Sequence, residues 1–99
     1  MTDAEILEML KGIAKLARPV SADDLQIDNL DTLLKETGLD SLDFLMVGIY
    51  LSDVYGVSEE NLKAMKMDEN STLRDMVNYI SSKGTKQPTS AKEALASIS

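Results

Sequence analysis

The stretch from Gly38 to Tyr55 constrains this 99-residue chain most, because a glycine, a short polar turn and an almost wholly apolar run follow one another there. Glycine adopts left-handed backbone angles without steric cost, so Gly38 predicts the end of the element before it. Asp40 and Asp43 have the spacing of a helix start in which each side chain caps the other's backbone amide. The stretch therefore predicts a helix from Ser41 to Val54 that is apolar on more than one face.

Composition narrows the classes of function. The chain has no cysteine and no histidine, which removes disulfides, thiolate nucleophiles, the commonest metal ligand and the usual general base. Seventeen acidic and ten basic residues give a net charge of −7, which disfavours nucleic acid and favours partners with basic patches. No apolar run is long enough to span a membrane, and the first residues lack the pattern of a signal peptide. We expect a cytoplasmic monomer that is not an enzyme, with no catalytic residues and no metal site.

The residues before the central stretch predict one amphipathic helix and a long connection. Thr2 opens a capping-box pattern, and apolar residues then recur at helical spacing until Arg18-Pro19, where the proline ends the helix. The segment 20–38 contains many leucines but no regular period. We expect it to lie across the core, with short turns that begin at Ser21 and Asp31.

The residues after the central stretch predict two more helices. Gly56 ends the central helix, Ser58 begins a short one, and Thr72 caps a last one. Nothing in the chain alternates with a period of two, so we expect no sheet. The predicted fold class is all-α, a small four-helix bundle of three longer helices and one short helix over residues 1–84.

The segment 85–99 is rich in serine, threonine and alanine. Such a composition predicts a disordered tail outside the bundle. Ser90 and Glu93 nevertheless have the spacing to cap a transient helix.

Gly48 lies in the middle of the predicted central helix, where glycine costs about 0.5–1 kcal/mol relative to alanine. One explanation is the close approach of another helix, and the other is that the missing side chain leaves room for a ligand. The packing explanation is the simpler one. On either account, we expect Leu45, Ile49 and Leu51 to face the interior at least in part.

These features form a recognisable combination. Gly38-Leu39-Asp40-Ser41-Leu42-Asp43 begins an apolar second helix, Tyr55-Gly56-Val57 closes it, and one helix and a long connection precede it. In a small acidic helical chain, this arrangement resembles the acyl carrier proteins. The resemblance covers roughly Thr2 to Lys83.

The resemblance implies that Ser41 carries 4′-phosphopantetheine through a phosphodiester on its side-chain oxygen, with Asp40 and Leu42 beside it. The arm ends in a thiol that holds acyl groups as thioesters, so the cofactor supplies the sulfur that the sequence lacks. A phosphodiester is also an anion of the kind that a helix N-terminus favours. The implied partners are a phosphopantetheinyl transferase (holo-acyl-carrier-protein synthase) and enzymes with basic patches that load and process acyl groups in fatty-acid, polyketide or specialised lipid biosynthesis.

The chain departs from the family pattern in three places, one of which is the segment between Gly56 and Thr72, which is slightly longer than usual. Thr37 stands where the family usually has leucine, which predicts different packing in the connection. The central helix lacks most of the family's glutamates, so the residues expected to dock onto partners are Asp43, Met46 and Asp53. This thin acidic stripe predicts a specialised carrier rather than one for housekeeping fatty-acid synthesis.

Two alternatives stay open at this stage. One is an unmodified helical module that binds other proteins through its apolar second helix. The other is an aminoacyl or peptidyl carrier, although the Leu39-Asp40 pair differs from the residues that peptidyl carriers tend to have before the serine.

Overall fold

The computed structural model describes residues 1–18, 25–68 and 70–98, and within these ranges the chain forms five α-helices and one short 3₁₀ helix. The α-helices are α1 (Asp3–Ala17), α2 (Ser41–Tyr55), α3 (Glu59–Ala64), α4 (Leu73–Lys83) and α5 (Ala91–Ala96). No strand occurs among the described residues, and an isolated bridge pairs Leu33 with Thr72. The predicted all-α class is confirmed, with one more short helix than expected.

The three longer helices begin where the sequence predicts. Each starts with a reciprocal capping box, and the pairs are Thr2 with Glu5, Asp40 with Asp43, and Thr72 with Asp75. Gly56 ends α2 with a left-handed φ of 68°, and Gly38 has a φ of 89° just before α2 begins. These positive angles explain why glycine stands at both ends of the central helix.

The core lies between α1, α2 and α4. Its most completely buried side chains are Met9, Leu10, Ile13, Leu51, Leu73, Met76 and Ile80. The connection before α2 adds Ile27, Leu30 and Leu34, all buried. Apolar side chains thus hold residues 25–38 against the core, as the leucine content predicts.

Short turns in this connection differ in part from the prediction. A turn at Leu30 and Asp31, in which the Thr32 amide donates to the Asn29 carbonyl at 3.2 Å, precedes the 3₁₀ helix Leu34–Glu36, which begins three residues after Asp31. The turn expected at Ser21, and the proline predicted to end α1, lie outside the described residues.

Thr37, the residue expected to change the packing of the connection, is fully buried. Its hydroxyl donates to the Leu34 carbonyl at 2.7 Å and accepts from the Leu39 amide at 3.3 Å. Its own carbonyl accepts from the Gln26 amide at 2.8 Å. Because its polar groups are paired, this buried threonine carries no desolvation penalty from an unmatched group. Hydrogen bonds thus organise the connection next to α2.

The segment 85–98, predicted to be a disordered tail, contains α5 and makes hydrogen bonds to the C-terminal end of α2. The Lys86 amide donates to the Tyr55 carbonyl at 2.8 Å, and the Thr85 amide donates to the Gly56 carbonyl at 3.3 Å. These bonds direct the chain across the C-terminal end of α2 and on to α5. The division into a bundle of 1–84 and a separate tail stays a prediction, and these contacts argue against it.

The helix α5 packs against α1, and Gly12 explains how. A Cβ atom built on Gly12 would lie 2.7 Å from both terminal carbons of Leu95, so that side chain would have to shift if residue 12 were not glycine. Ala91 and Ala94 are also buried. Small residues on both helices therefore permit a close contact that composition alone does not reveal.

Candidate functional site

Ser41 is the first residue of α2, and its side chain is exposed. The Asp40 carboxylate accepts from the Asp43 amide at 2.9 Å, and the Asp43 carboxylate accepts from the Asp40 amide at 3.3 Å. The Phe44 amide then makes the first helical bond, to the Asp40 carbonyl at 3.0 Å. The amides of Ser41 and Leu42 precede that bond, so the serine lies at the positive end of the helix dipole.

Arg18, at the C-terminal end of α1, reaches the same turn. Its Nη1 atom donates to the Gly38 carbonyl at 3.1 Å and lies 3.6 Å from Oδ2 of Asp43. The Asp43 residue is only 9 % exposed. Its carboxylate is therefore engaged with Arg18 and the helix cap, which argues against the docking role predicted for it. The prediction missed this engagement because Arg18 is distant in sequence.

A groove between α2 and α3 opens beside Ser41. Its volume is about 610 Å³, and Ser41 itself is part of its lining. The apolar lining comes chiefly from Phe44, Leu45, Gly48, Ile49, Val57, Leu62 and Met65. The buried hydroxyl of Ser52 donates to the Gly48 carbonyl at 2.8 Å and so does not present an unpaired donor to the groove. The arrangement can receive an extended apolar group attached at or near Ser41.

Gly48 is buried and faces α3. A Cβ atom built there would lie 3.3 Å from Cδ1 of Leu62 and 4.0 Å from Cε of Met65. These neighbours are the ends of flexible side chains, not a closely packed helix backbone. The geometry thus weakens the packing explanation for this glycine and favours the one in which it opens space.

The neighbours of Gly48 are only partly as predicted. Leu51 is fully buried, but Leu45 is 55 % exposed and Ile49 is 39 % exposed. The expectation that all three face the interior is therefore wrong for Leu45. Because α2 is apolar on more than one face, its sequence pattern does not show which face the bundle covers.

The helix α3 forms the outer wall of the groove and contains no fully buried residue. It is joined to α4 by the Tyr79 hydroxyl, which donates to the Asn61 carbonyl at 2.8 Å. The salt bridge between Lys63 and Glu59 lies within α3 and is exposed. The wall is thus held by fewer buried contacts than the rest of the bundle, and local movement there costs less free energy.

A second, smaller cavity of about 360 Å³ also reaches Ser41. It shares Phe44 and Met65 with the groove, and Met67 and Met76 form part of its far side. Methionine side chains adapt readily to different shapes. Ser41 therefore lies where two apolar spaces meet.

The exposed part of α2 is also apolar. Four large apolar side chains among the described residues are exposed, and three of them are on α2, namely Leu42, Leu45 and Ile49. The fourth is Leu16 on α1. Of the other residues predicted for docking, Asp53 is exposed and Met46 is half-buried.

The described residues also bear on two other kinds of site. Within residues 1–18, 25–68 and 70–98, no three side chains of the types that bind metals are grouped so that they could hold an ion. No helix in the described part of the chain combines the length and apolar character needed to span a membrane.

Comparison with known proteins identifies the family. A family model described as "Phosphopantetheine attachment site" matches residues 4–80, which include most of α1 to α4 and exclude α5. Neither the curated proteins nor the solved structures gave a significant match. Proteins of this family carry 4′-phosphopantetheine covalently on a serine, and an exposed serine at a helix N-terminus beside an apolar groove fits that group. The chain belongs to the phosphopantetheine attachment family, and it is a carrier protein of that kind.

Proposed function

We propose that Ser41 is the serine that carries 4′-phosphopantetheine, and that the protein is an acyl carrier whose cargo rests in the groove between α2 and α3. The observation that carries this proposal is the position of Ser41, which is exposed on the first turn of α2 and also lines the apolar groove. The thiol of the arm would hold the acyl group as a thioester.

The surroundings of Ser41 suit the attachment step. A transferase would join the serine oxygen to the phosphate of the phosphopantetheine half of coenzyme A, and the nucleotide half would leave. The dipole of α2 and the first-turn amides stabilise the resulting phosphodiester. Asp40 sets the geometry of the turn through its cap, while the exposed Leu42 lies beside the serine. The transferase would supply the catalytic groups.

The lining of the groove supports an acyl cargo over an aminoacyl one. Each methylene group moved from water into an apolar groove gains about 0.8 kcal/mol. A cargo with a free ammonium group could meet the Asp53 and Glu59 carboxylates that also line the groove, but most of the lining is apolar and offers such a group no partner. We therefore favour an apolar acyl chain, as in fatty-acid, polyketide or specialised lipid biosynthesis, over the aminoacyl or peptidyl alternative.

The exposed face of α2 supports a proposal about partners. Leu42, Leu45 and Ile49 are spaced i, i+3 and i+7 and so share one side of the helix. We propose that the transferase and the acyl-processing enzymes contact this side, with Met46 and Asp53 at its edge. Such docking depends more on apolar burial than on charge, so it should depend weakly on salt. The proposed role is that of a specialised carrier in the cytoplasm.

Intact mass tests the attachment site. After incubation with coenzyme A and a phosphopantetheinyl transferase of broad specificity, the parent protein should gain one phosphopantetheinyl group. Ser41→Ala should fold normally and gain none. Ser58→Ala, which changes another exposed serine at a helix start, should be modified like the parent. A modified Ser41→Ala variant, or a parent that is never modified, would contradict the proposal and leave the unmodified interaction module.

The docking proposal has its own matched pair of variants. Leu45→Ala should lower kcat/KM for the transferase about fivefold or more, since truncation of an apolar contact residue at a hot spot costs more than about 1 kcal/mol. Leu16→Ala removes an exposed leucine from α1 and should leave the rate unchanged. Met46→Glu should improve recognition by generic fatty-acid enzymes, which should otherwise use the holo protein poorly. Equal rates for both leucine variants, or a steep loss of rate with salt, would refute apolar docking.

A further inference from the structure

Arg18 connects the end of α1 to both sides of the turn that holds Ser41. Its Nη1 atom donates to the Gly38 carbonyl at 3.1 Å, and the same atom lies 3.6 Å from Oδ2 of Asp43. Gly38 precedes the serine by three residues, and Asp43 follows it by two. We propose that Arg18 is a positioning residue for the modification of Ser41. This proposal rests on Ser41 as the attachment site.

The turn contains a point of backbone freedom that Arg18 restrains. Gly38 has a φ of 89°, in a region that glycine enters and leaves easily. The next residue, Leu39, is held in place because its side chain is buried. The Gly38 carbonyl itself accepts a hydrogen bond from a guanidinium group that belongs to another element. Arg18 thus fixes the direction in which the chain leaves the connection and enters α2.

On the other side of Ser41, Arg18 acts through Asp43. The Oδ2 atom of Asp43 faces Arg18 and also accepts from the Asp40 amide at 3.3 Å. This half of the capping box is longer than the reciprocal bond from the Asp43 amide to Asp40, which is 2.9 Å. A positive charge on the same oxygen orients the carboxylate and so supports the weaker half of the cap. The contacts from Arg18 to Asp43 and from Asp43 to Asp40 thus fix the residues on both sides of the exposed serine.

The effect on folding should be small, and this separates positioning from general stability. The Arg18 side chain is 35 % exposed, and ion pairs with that degree of exposure contribute little to stability because water and salt screen them. A reaction rate, by contrast, depends on how often the nucleophile is held in the reactive geometry, so a loose turn slows the reaction even in a stable protein.

Arg74 offers a matched control. Its guanidinium also bridges separate elements, with Nη2 3.2 Å from Asp3 and Nε 3.1 Å from Asp31, and its side chain is 39 % exposed. Asp3 begins α1, whereas Arg18 follows its last residue. A helix of this length places the two ends more than about 20 Å apart. Loss of either arginine changes the net charge equally, but only Arg18 reaches the turn around Ser41.

The test measures kcat and KM for phosphopantetheinyl transfer to the full chain, together with urea unfolding, for Arg18→Ala, Arg18→Lys and Arg74→Ala. We expect Arg18→Ala to lower kcat about fivefold or more while KM for the carrier stays within twofold. Arg74→Ala should keep the parental kcat. Arg18→Lys should recover part of the loss, since an ammonium group can reach one acceptor but lacks the planar fork. The unfolding midpoints of the two alanine variants should be alike.

Hydrogen exchange gives a readout that does not depend on the transferase. The amides of Asp40 and Asp43 should exchange faster in Arg18→Ala than in the parent or in Arg74→Ala. An unchanged kcat and unchanged exchange would overturn the proposal. A rise in KM with strong salt dependence and a normal kcat would also overturn it, because Arg18 would then contact the enzyme directly. Failure of the proposed function itself looks different, since the parent would then not be modified at Ser41.

Discussion

The two sides of α2 are built from similar residues but have different surroundings. On the side that meets α1 and α4, Val47, Leu51 and Val54 are at most 3 % exposed. On the side that meets α3, Leu45 and Ile49 remain exposed and line a groove. The difference comes from the neighbours, because α3 is short and has no buried residue of its own. One side therefore supplies free energy of folding, and the other leaves apolar surface open beside Ser41.

The first prediction tests this contrast directly and has the largest expected effect. Leu51→Ala on the closed side should lower the free energy of unfolding by about 2–5 kcal/mol, the usual cost of a cavity in a core. Leu45→Ala on the open side should change it by less than about 0.5 kcal/mol. Urea unfolding of the apo protein measures both. Similar losses for the two variants would mean that the sides of α2 do not differ in this way.

The second prediction concerns the C-terminal end of α2, where Gly84 lies against Tyr55. A Cβ atom at Gly84 would collide with the carbonyl oxygen of Tyr55, which is backbone and cannot turn aside. Gly84→Ala should therefore destabilise the protein by about 1–3 kcal/mol through overpacking, as measured by thermal or urea unfolding. An alanine variant as stable as the parent would show that this junction is looser than the structure indicates.

The third prediction concerns a methyl group added at Gly48, on the side of α2 that faces α3. Gly48→Ala should change the stability of the apo protein by less than about 1 kcal/mol, because the gain in helix propensity offsets a contact with the flexible end of Leu62. The same substitution narrows the groove, so it should reduce the extra stability gained on acylation. Thermal melts of apo and acylated forms, with and without the substitution, measure both effects. A destabilised apo variant with an unchanged acylation gain would restore the packing explanation.

The fourth and smallest effect concerns α5. The hydroxyl and the amide of Thr89 both donate to the Glu93 carboxylate, and these bonds lower the pKa of Glu93 below its ordinary value of 4.5. A lowered pKa in the folded state means that the stabilisation is complete above the unfolded value and is lost as the pH falls through the folded one. The protection of the α5 amides, taken relative to their intrinsic exchange rates at each pH, should therefore fall on acidification below about pH 4. Glu93→Gln should remove this pH dependence in α5. If the pH dependence persists in that variant, the stabilising role of the Glu93 carboxylate is refuted.

The parts of the fold that could be predicted depend on short sequence spacings. The cap formed by Asp40 and Asp43, and the turns at Gly38 and Gly56, require only neighbouring residues and the freedom of glycine, so the sequence shows them directly. The position of Ser41 at the start of a helix follows from the same spacing. These local features locate the candidate attachment site without any knowledge of the tertiary structure.

The remaining features depend on contacts between residues that are distant in the sequence. Asp43 has the pattern of an exposed acid, yet it is buried because Arg18 approaches from the end of α1. The fit of Leu95 over Gly12 joins two residues that are more than eighty positions apart. The exposure of Leu45 depends on the small size of α3, which hydrophobic periodicity does not report. Such features become visible only when the elements are assembled.

The position of α5 has a practical consequence for handling the protein. The cavity beside α5 is lined by residues such as Val54, Lys86 and Ala94, and the structure shows none of its lining in common with the groove beside Ser41. A fluorophore or surface linker attached to Lys92, an exposed residue of α5, would therefore lie outside the lining of that groove. Immobilisation through Lys92 would leave the groove beside Ser41 open to the solution, so that binding of enzymes to the tethered carrier could be followed directly.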